Sequence, residues 1–119
     1  MRHEEKKVAK IVEELTMYFF SIGSDKISSS IERSEEGEKI VFRANYLPEY
    51  EESIQYLEEC LNEEKNEGME DIYWELAGSG DPGESSQLIL LGMMIDRHEV
   101  HKFENEVELV LYKNKEIEW

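Results

Sequence analysis

The chain is poor in the residues that build disulfide-bonded, zinc-binding or membrane-spanning proteins. Its 119 residues include one cysteine, which excludes a disulfide framework and a cysteine-based zinc site. No apolar run approaches the roughly 18 residues of a membrane-spanning helix, and the charged residues 1–10 do not resemble a signal peptide. Basic residues are also scarce, at 13 against 29 acidic ones, and the net charge is -16. We therefore expect an acidic cytoplasmic protein that binds neither nucleic acid nor a membrane surface.

The chain does contain enough apolar sequence for one packed domain. Hydrophobic residues make up 39% of it and aromatic residues 10%, which argues against disorder despite the charge. No linker, internal repeat or low-complexity segment interrupts the sequence. Residues 1–119 are therefore predicted to form a single domain.

Hydrophobic periodicity and turn residues predict the order of the secondary-structure elements. Apolar residues at helical spacing end at Gly23, a helix stop, and Pro48 is well placed to begin a second helix. The predicted elements are a helix over 3–22, strands over 27–33 and 39–46 joined by the loop 34–38, a helix from 48 to 66–68, a short helix or strand over 69–77, a helix from 87 to about 97, and strands over 101–103 and 106–113. This order predicts an α/β two-layer sandwich with a mixed or antiparallel sheet of about four strands and with helices packed on one face.

Acidic residues are concentrated in the middle of the chain. The segment 49–84 holds 13 acidic residues and one basic residue. Most of these carboxylates fall on the outer face of the second helix and its continuation, where they form either a solvated surface or a docking surface for a basic partner protein. The candidate partner-binding residues are Glu58, Glu59, Glu63, Glu64 and, close to that surface, Trp74.

Two short motifs suggest binding chemistry. The segment 78–83 matches G-x-G-x-x-G, a loop that cradles phosphate ahead of a helix, but Asp81 would repel phosphate and Pro82 lacks an amide donor. A flexible connecting loop fits better. His98 and His101 are three residues apart and could share a helix face, but no third ligand accompanies them and we expect no metal site.

Three segments follow the pattern of a known fold. They are residues 12–18 (VEELTMY), 91–96 (LGMMID) and 106–112 (EVELVLY). With the order helix, strand, strand, helix, helix, strand, the chain resembles the histidine-kinase-type ATPases, and most nearly the small anti-sigma-factor kinases among them. In that family a Glu and an Asn four residues later on the first helix contact Mg-ATP. The resemblance places Glu14 at the acidic position.

The same resemblance implies a degenerate nucleotide site. Tyr18 occupies the position of the magnesium-binding Asn, and Asn45 alone stands where the family has a glycine-containing adenine-binding box. An aromatic ring cannot replace an amide oxygen on magnesium, so we expect the pocket to be filled by side chains such as Tyr18 and Phe20. The residues that would replace the phosphate lid are Gly78, Gly80 and Gly83.

The leading hypothesis is a non-catalytic cytoplasmic regulatory or protein-interaction domain on a degenerate ATPase-like scaffold, without a cofactor, whose acidic helix docks a basic partner. The alternative is an anti-sigma-type kinase or nucleotide-binding domain that holds ATP with Mg through Glu14, Asn45 and the glycine loop. A third hypothesis is a homodimer with a small-molecule pocket lined by Tyr18, Tyr46 and Tyr56.

Overall fold

The computed structural model describes residues 3–62 and 85–115 of the chain. In chain order, its elements are α1 (His3–Ser21), β1 (Ile27–Ser34), β2 (Gly37–Asn45), a 3-10 helix (Pro48–Tyr50), α2 (Glu51–Leu61), α3 (Ser85–Met93), β3 (Arg97–Phe103) and β4 (Glu106–Asn114). The strands form one sheet in the order β1-β2-β4-β3, and every neighbouring pair is antiparallel. The predicted α/β architecture is thus confirmed, with the sheet in its antiparallel form.

The core lies between the helices and one face of the sheet. On β2 the buried residues Ile40, Phe42 and Ala44 alternate with more exposed ones, as expected for a strand with one buried face. The ring of Phe19 on α1 packs against that of Phe42, with centroids 5.4 Å apart. Buried side chains of α2, α3 and β4 join the same cluster, so the described elements share one core.

The helix stop predicted at Gly23 is confirmed. Gly23 has a φ of +82°, and the amide N–H of Ser24 donates to the carbonyl of Phe19 at 3.0 Å. A Cβ at Gly23 would lie 2.5 Å from Cδ1 of Leu47. The left-handed backbone therefore favours glycine at this position, and a side chain there would also displace that of Leu47.

A second glycine brings two helices into close contact. A Cβ on Gly92 of α3 would lie only 2.0 Å from the carbonyl oxygen of Cys60 on α2. The absence of a side chain therefore lets α3 pack directly on the main chain of α2. Cys60 itself is buried in the core.

Two predicted boundaries in the first half of the chain are wrong. The β1–β2 connection is a two-residue turn at 35–36, because Ser34 already pairs with Gly37, and the predicted loop 34–38 was too long. The second helix ends at Leu61, with Asn62 as its C-cap residue, and does not continue to 66–68. The predicted element over 69–77 lies outside the described residues.

The predicted end of α3 is also wrong. The helix ends at Met93, and the residues from Arg97 onward pair with β4 as a seven-residue strand. Asp96 fixes this change of direction, because its amide N–H donates to the Tyr112 carbonyl at 2.9 Å and its carboxylate accepts from the Asn114 amide at 2.6 Å. Pairing with β4 thus begins at the residue where the helix was predicted to end. Within the described residues, no helix is long and apolar enough to cross a membrane.

Candidate functional site

Asn45, at the end of β2, fastens the segment that connects α1 to β1. Its side-chain Oδ1 accepts hydrogen bonds from Ser24 Oγ at 3.0 Å, from the Asp25 amide at 3.0 Å and from the Lys26 amide at 3.1 Å. Its Nδ2 donates to Asp25 Oδ1 at 2.6 Å. The position that the resemblance assigns to adenine binding thus has its amide group engaged in holding a loop.

The other described residue of the nucleotide hypothesis, Glu14, lies in the middle of α1. Its side chain is fully buried, and its carboxylate Oε1 lies 3.0 Å from Nζ of Lys10, one helical turn earlier. Glu14 is therefore paired within α1, whereas Asn45 is hydrogen-bonded to the loop that follows α1. The remaining residues of that hypothesis, Gly78, Gly80 and Gly83, lie outside the described residues.

Two tyrosine hydroxyls attach the start of α2 to the rest of the fold. Tyr18 donates to the main-chain carbonyl of Ser53 at 2.9 Å, and Tyr46 donates to Oε2 of Glu51 at 2.6 Å. Burial raises the pKa of Tyr18, while burial and the Glu51 carboxylate raise the pKa of Tyr46 to about 12. Both hydroxyls therefore remain protonated donors at neutral pH.

Tyr56, the third tyrosine of the small-molecule hypothesis, sits on α2 beside the core. Burial, followed by the neighbouring Cys60 thiol, raises the pKa of Tyr56 to about 12. The structure thus engages the hydroxyls of Tyr18 and Tyr46 in bonds between elements and places Tyr56 against Cys60. These contacts give the three residues a packing role.

The prediction that Phe20 fills an internal pocket is wrong. Tyr18 is 5% exposed, but Phe20 is 57% exposed. Residues two apart on an α-helix point about 200° away from each other, so only one of the two can face the core. Phe20 instead belongs to the outer surface near the end of α1.

Exposed apolar side chains gather at this end of the molecule. Seven large hydrophobic side chains are exposed among the described residues, and four of them, Met17, Phe20, Leu47 and Tyr50, belong to the last turns of α1 or to the turn that enters α2. The amide of Leu47 donates to the Ile22 carbonyl at 3.2 Å, which joins the two segments. We call these four residues the apolar end.

Carboxylates adjoin the apolar end. Glu49, Glu51 and Glu52 are exposed around Tyr50 and form what we call the acidic rim. The sequence from 44 to 64 contains no lysine, arginine or histidine, so no basic residue of that stretch neutralises the rim. The exposed apolar side chains therefore adjoin a stretch of the chain whose only charged residues are acidic.

The predicted partner-binding glutamates differ in their surroundings. Glu59 is exposed on α2, whereas Glu58 is half-buried and forms an ion pair with Lys102 of β3. Glu58 therefore links α2 to the sheet. Glu63, Glu64 and Trp74 lie outside the described residues.

The two histidines lie on a strand and not on a helix. His98 pairs with Leu111 and His101 with Glu108 in the β3–β4 ladder. Because residues three apart on a strand point to opposite faces, the two imidazoles cannot bind one metal ion as a pair. Among the residues that the structure describes, no three histidine, cysteine, aspartate or glutamate side chains are grouped to hold a metal.

Sequence reasoning missed a group of buried charges at the start of α1. Glu4, Lys7 and Glu38 are each less than a tenth exposed, and Oε1 of Glu38 lies 3.3 Å from Nε of Arg33. The signal was present, because Glu4 and Lys7 fall on the same helical stripe as Ile11. An open cavity of about 620 Å³ lies at this end of the sheet, lined by residues of both charge signs.

Comparisons with known proteins give no relative for this chain. No protein-family model, no curated protein and no solved structure matches it.

Proposed function

We propose that this protein is a non-catalytic interaction domain that docks a basic partner protein at the apolar end. The observation that carries the proposal is the joint exposure of Met17, Phe20, Leu47 and Tyr50 beside the acidic rim. Contiguous apolar surface bordered by polar residues is typical of protein-binding sites. The regulatory role and the degenerate ATPase-like scaffold are part of the same proposal.

The chemistry of the surface defines its partner. Phe20 and Tyr50 offer aromatic area of the kind that contributes strongly to binding when water is excluded. The acidic rim attracts lysine and arginine and repels phosphate groups. The matching partner is a basic amphipathic segment of another protein, with apolar residues for the apolar end and cations for Glu49, Glu51 and Glu52.

A defined peptide tests this proposal. The probe is a fluorescent amphipathic 14-residue peptide of lysine and leucine, and an otherwise identical glutamate–leucine peptide is the charge control. We expect the lysine peptide to bind, and binding to shift the backbone amide NMR signals of residues 17–23, 47 and 49–52. Phe20→Ser should weaken binding about tenfold, because a buried aromatic contact is worth roughly 1–2 kcal/mol.

Phe103→Ser is the matched control variant. Phe103 is 48% exposed, close to the exposure of Phe20, but lies on β3 with its ring under the guanidinium of Arg43. Its loss should leave peptide affinity unchanged. Equal weakening by the two substitutions, or equal binding of the glutamate peptide, would contradict the proposal.

Charge reversal separates the acidic rim from the ion-paired Glu58. Glu49→Lys combined with Glu52→Lys should weaken peptide binding and remove much of its salt dependence. Glu58→Lys should instead lower thermal stability, because it replaces the ion pair by a second cation beside Lys102. A rim variant that binds the peptide as the parent protein does would contradict the proposed role of the rim.

A thermal unfolding scan tests the nucleotide alternative. Millimolar Mg-ATP or Mg-ADP should not change the unfolding midpoint if the protein works without nucleotide. A ligand at about 100 times its Kd would add roughly 2.7 kcal/mol and raise the midpoint by several degrees. A magnesium-dependent rise would favour the alternative that uses Glu14 and Asn45.

A further inference from the structure

The strand β1 forms one edge of the sheet and is almost entirely exposed. Seven of its eight residues are exposed, and within the described residues it pairs on one side only, with β2. The main-chain N–H of Asn45 donates to the Lys26 carbonyl at 3.2 Å. This bond shows that Lys26 and every second residue after it direct their main-chain N–H and C=O groups towards β2. The main-chain groups of Ile27, Ser29, Ile31 and Arg33 therefore point away from β2, towards the open edge.

This edge lacks the devices that usually prevent pairing between sheets. From Ile27 to Ile31 the strand contains no charge and no proline. The opposite edge, β3, places charged or histidine residues at five of its seven positions (RHEVHKF). Since charges and prolines are what protect an edge strand, β1 is the unprotected edge of this sheet.

We propose that two copies of the chain pair through β1, antiparallel to each other and centred on Ser29. A two-fold axis perpendicular to the sheet keeps the helices of both copies on the same side of the joined sheet. Opposite residues must then point to the same face, so each residue pairs with a residue of the second copy whose number differs from its own by zero or an even number. Centring on Ser29 pairs Ile27 with Ile31 of the second copy and Ser28 with Ser30. The two strands would join the sheets into one of eight strands.

The flanking charges favour this register over its neighbours. Centred on Ser29, Lys26 lies opposite Glu32 of the second copy, and Asp25 lies opposite Arg33. Because the axis repeats each pair, four pairs of opposite charge result. Moving the centre to Ser28 would instead place Asp25 opposite Ile31, and moving it to Ser30 would place Ile27 opposite Arg33.

Apolar contacts support the same register. Ile31 is 46% exposed on the helix side of β1, beside an open cavity of about 180 Å³ that Val8 and Ala9 of α1 also line. Ile27 is on the same side, half-buried against the core. Pairing would place Ile27 of each copy next to Ile31 of the other and extend the core across the axis.

The local charge also permits self-association. A chain of net charge -16 repels its copies, but residues 25–34 contain two acidic and two basic residues and are therefore neutral. The same edge could bind an extended segment of a different protein, but the palindromic match of charges and isoleucines favours a second copy. This inference does not depend on the proposed function, which concerns a different surface and a different partner.

Sedimentation equilibrium and light scattering from 1 to 200 μM protein, at about 0.15 M salt, test the proposal. A strand-edge contact is a small interface, so we expect a dimer with Kd on the order of 10–100 μM. Lys26→Glu and Glu32→Lys should each raise that Kd about tenfold, because each creates two pairs of like charge. Glu35→Lys is the control for Glu32→Lys. It makes the same Glu-to-Lys change in the β1–β2 turn, outside the proposed contact pairs, and should not raise the Kd.

Mixing the two variants is the decisive step. A Lys26→Glu chain and a Glu32→Lys chain have opposite charges at both positions, so an equimolar mixture should dimerise about as tightly as the parent protein, with a Kd about tenfold below that of either variant alone. Ser29→Pro should also abolish dimerisation, because it removes an amide that points outward while leaving the β1–β2 ladder intact. A monomer at every concentration, or a mixture no more dimeric than its components, would overturn the proposal.

Discussion

The hydroxyl of Tyr18 donates a hydrogen bond to the main-chain carbonyl of Ser53, 2.9 Å away, and thereby joins α1 to the first turn of α2. The resemblance to the histidine-kinase-type ATPases expects a magnesium-binding amide at position 18. Here the side chain holds two helices together. The bond thus supports a structural role for the residue at the position where the family has its magnesium-binding Asn.

Replacing Tyr18 with phenylalanine should lower the free energy of unfolding by about 1–2 kcal/mol, because the hydrogen bond that joins α1 to α2 is lost in a partly buried setting. Urea denaturation measures this loss. Tyr112→Phe is the control, since the Tyr112 hydroxyl contacts Glu99 at 3.1 Å on the exposed side of the sheet. That variant should change stability by less than about 0.5 kcal/mol. Equal losses in the two variants would argue against the bond as the cause.

Asn45 should be more important to stability than its sequence context suggests. Asn45→Ala removes four hydrogen bonds that hold residues 24–26, and we expect a loss of about 2–4 kcal/mol. Asn45→Asp keeps the accepting oxygen but places a carboxylate against Asp25, so its stability should recover as the pH falls towards 4. Urea denaturation at pH 4 and pH 7 separates the two effects. Asn114→Ala, at an exposed position on β4, is the control and should cost little.

Much of the fold follows from local patterns in the sequence. The helical stripe of α1 ends at a glycine with positive φ, and the alternation in β2 and β4 matches the strands observed there. The start of β3 could not be predicted, because Arg97 to Val100 contains a single apolar residue and shows no clear alternation, and only pairing with β4 makes it a strand. The spacing of apolar residues does not reveal which distant segment a strand will pair with.

The candidate surfaces were harder to predict than the fold. Glu58 looked like a free surface carboxylate, but its ion pair with Lys102 depends on how α2 lies over β3. Phe20 and Leu47 are 27 positions apart in the sequence, and their common location follows from the bond between Leu47 and Ile22. In both cases the decisive fact is the position of one element against another.

Gly92 should tolerate no side chain. In an exposed helix, replacing glycine with alanine stabilises the fold by up to about 1 kcal/mol. At Gly92 the new methyl carbon would lie 2.0 Å from the Cys60 carbonyl oxygen, so α3 would have to move away from α2. We therefore expect Gly92→Ala to cost about 3 kcal/mol or more in thermal or urea unfolding. A neutral or stabilising effect would mean that the two helices do not pack this closely.

The pH dependence of stability should report on the buried Glu38. Burial, aided by the neighbouring Glu4 carboxyl and opposed by Arg33, raises the pKa of Glu38 from 4.5 to about 7. Between these two values the folded chain holds a proton that the unfolded chain has released. The free energy of unfolding should therefore fall as the pH rises from 4.5 to 7, by up to about 3 kcal/mol from this group, and level off above pH 7.

Because other carboxylates also titrate, the informative quantity is the difference between the parent protein and Glu38→Gln. The amide stays neutral at every pH, so this variant should lose most of the slope between pH 5 and 7 and gain stability relative to the parent at pH 7.5. Glu106→Gln is the control, since Arg43 lowers the pKa of that partly exposed carboxyl and its removal should leave the slope between pH 5 and 7 intact. If Glu38→Gln and the parent show parallel pH profiles, Glu38 is ionised in the folded protein throughout this range and its pKa is not raised.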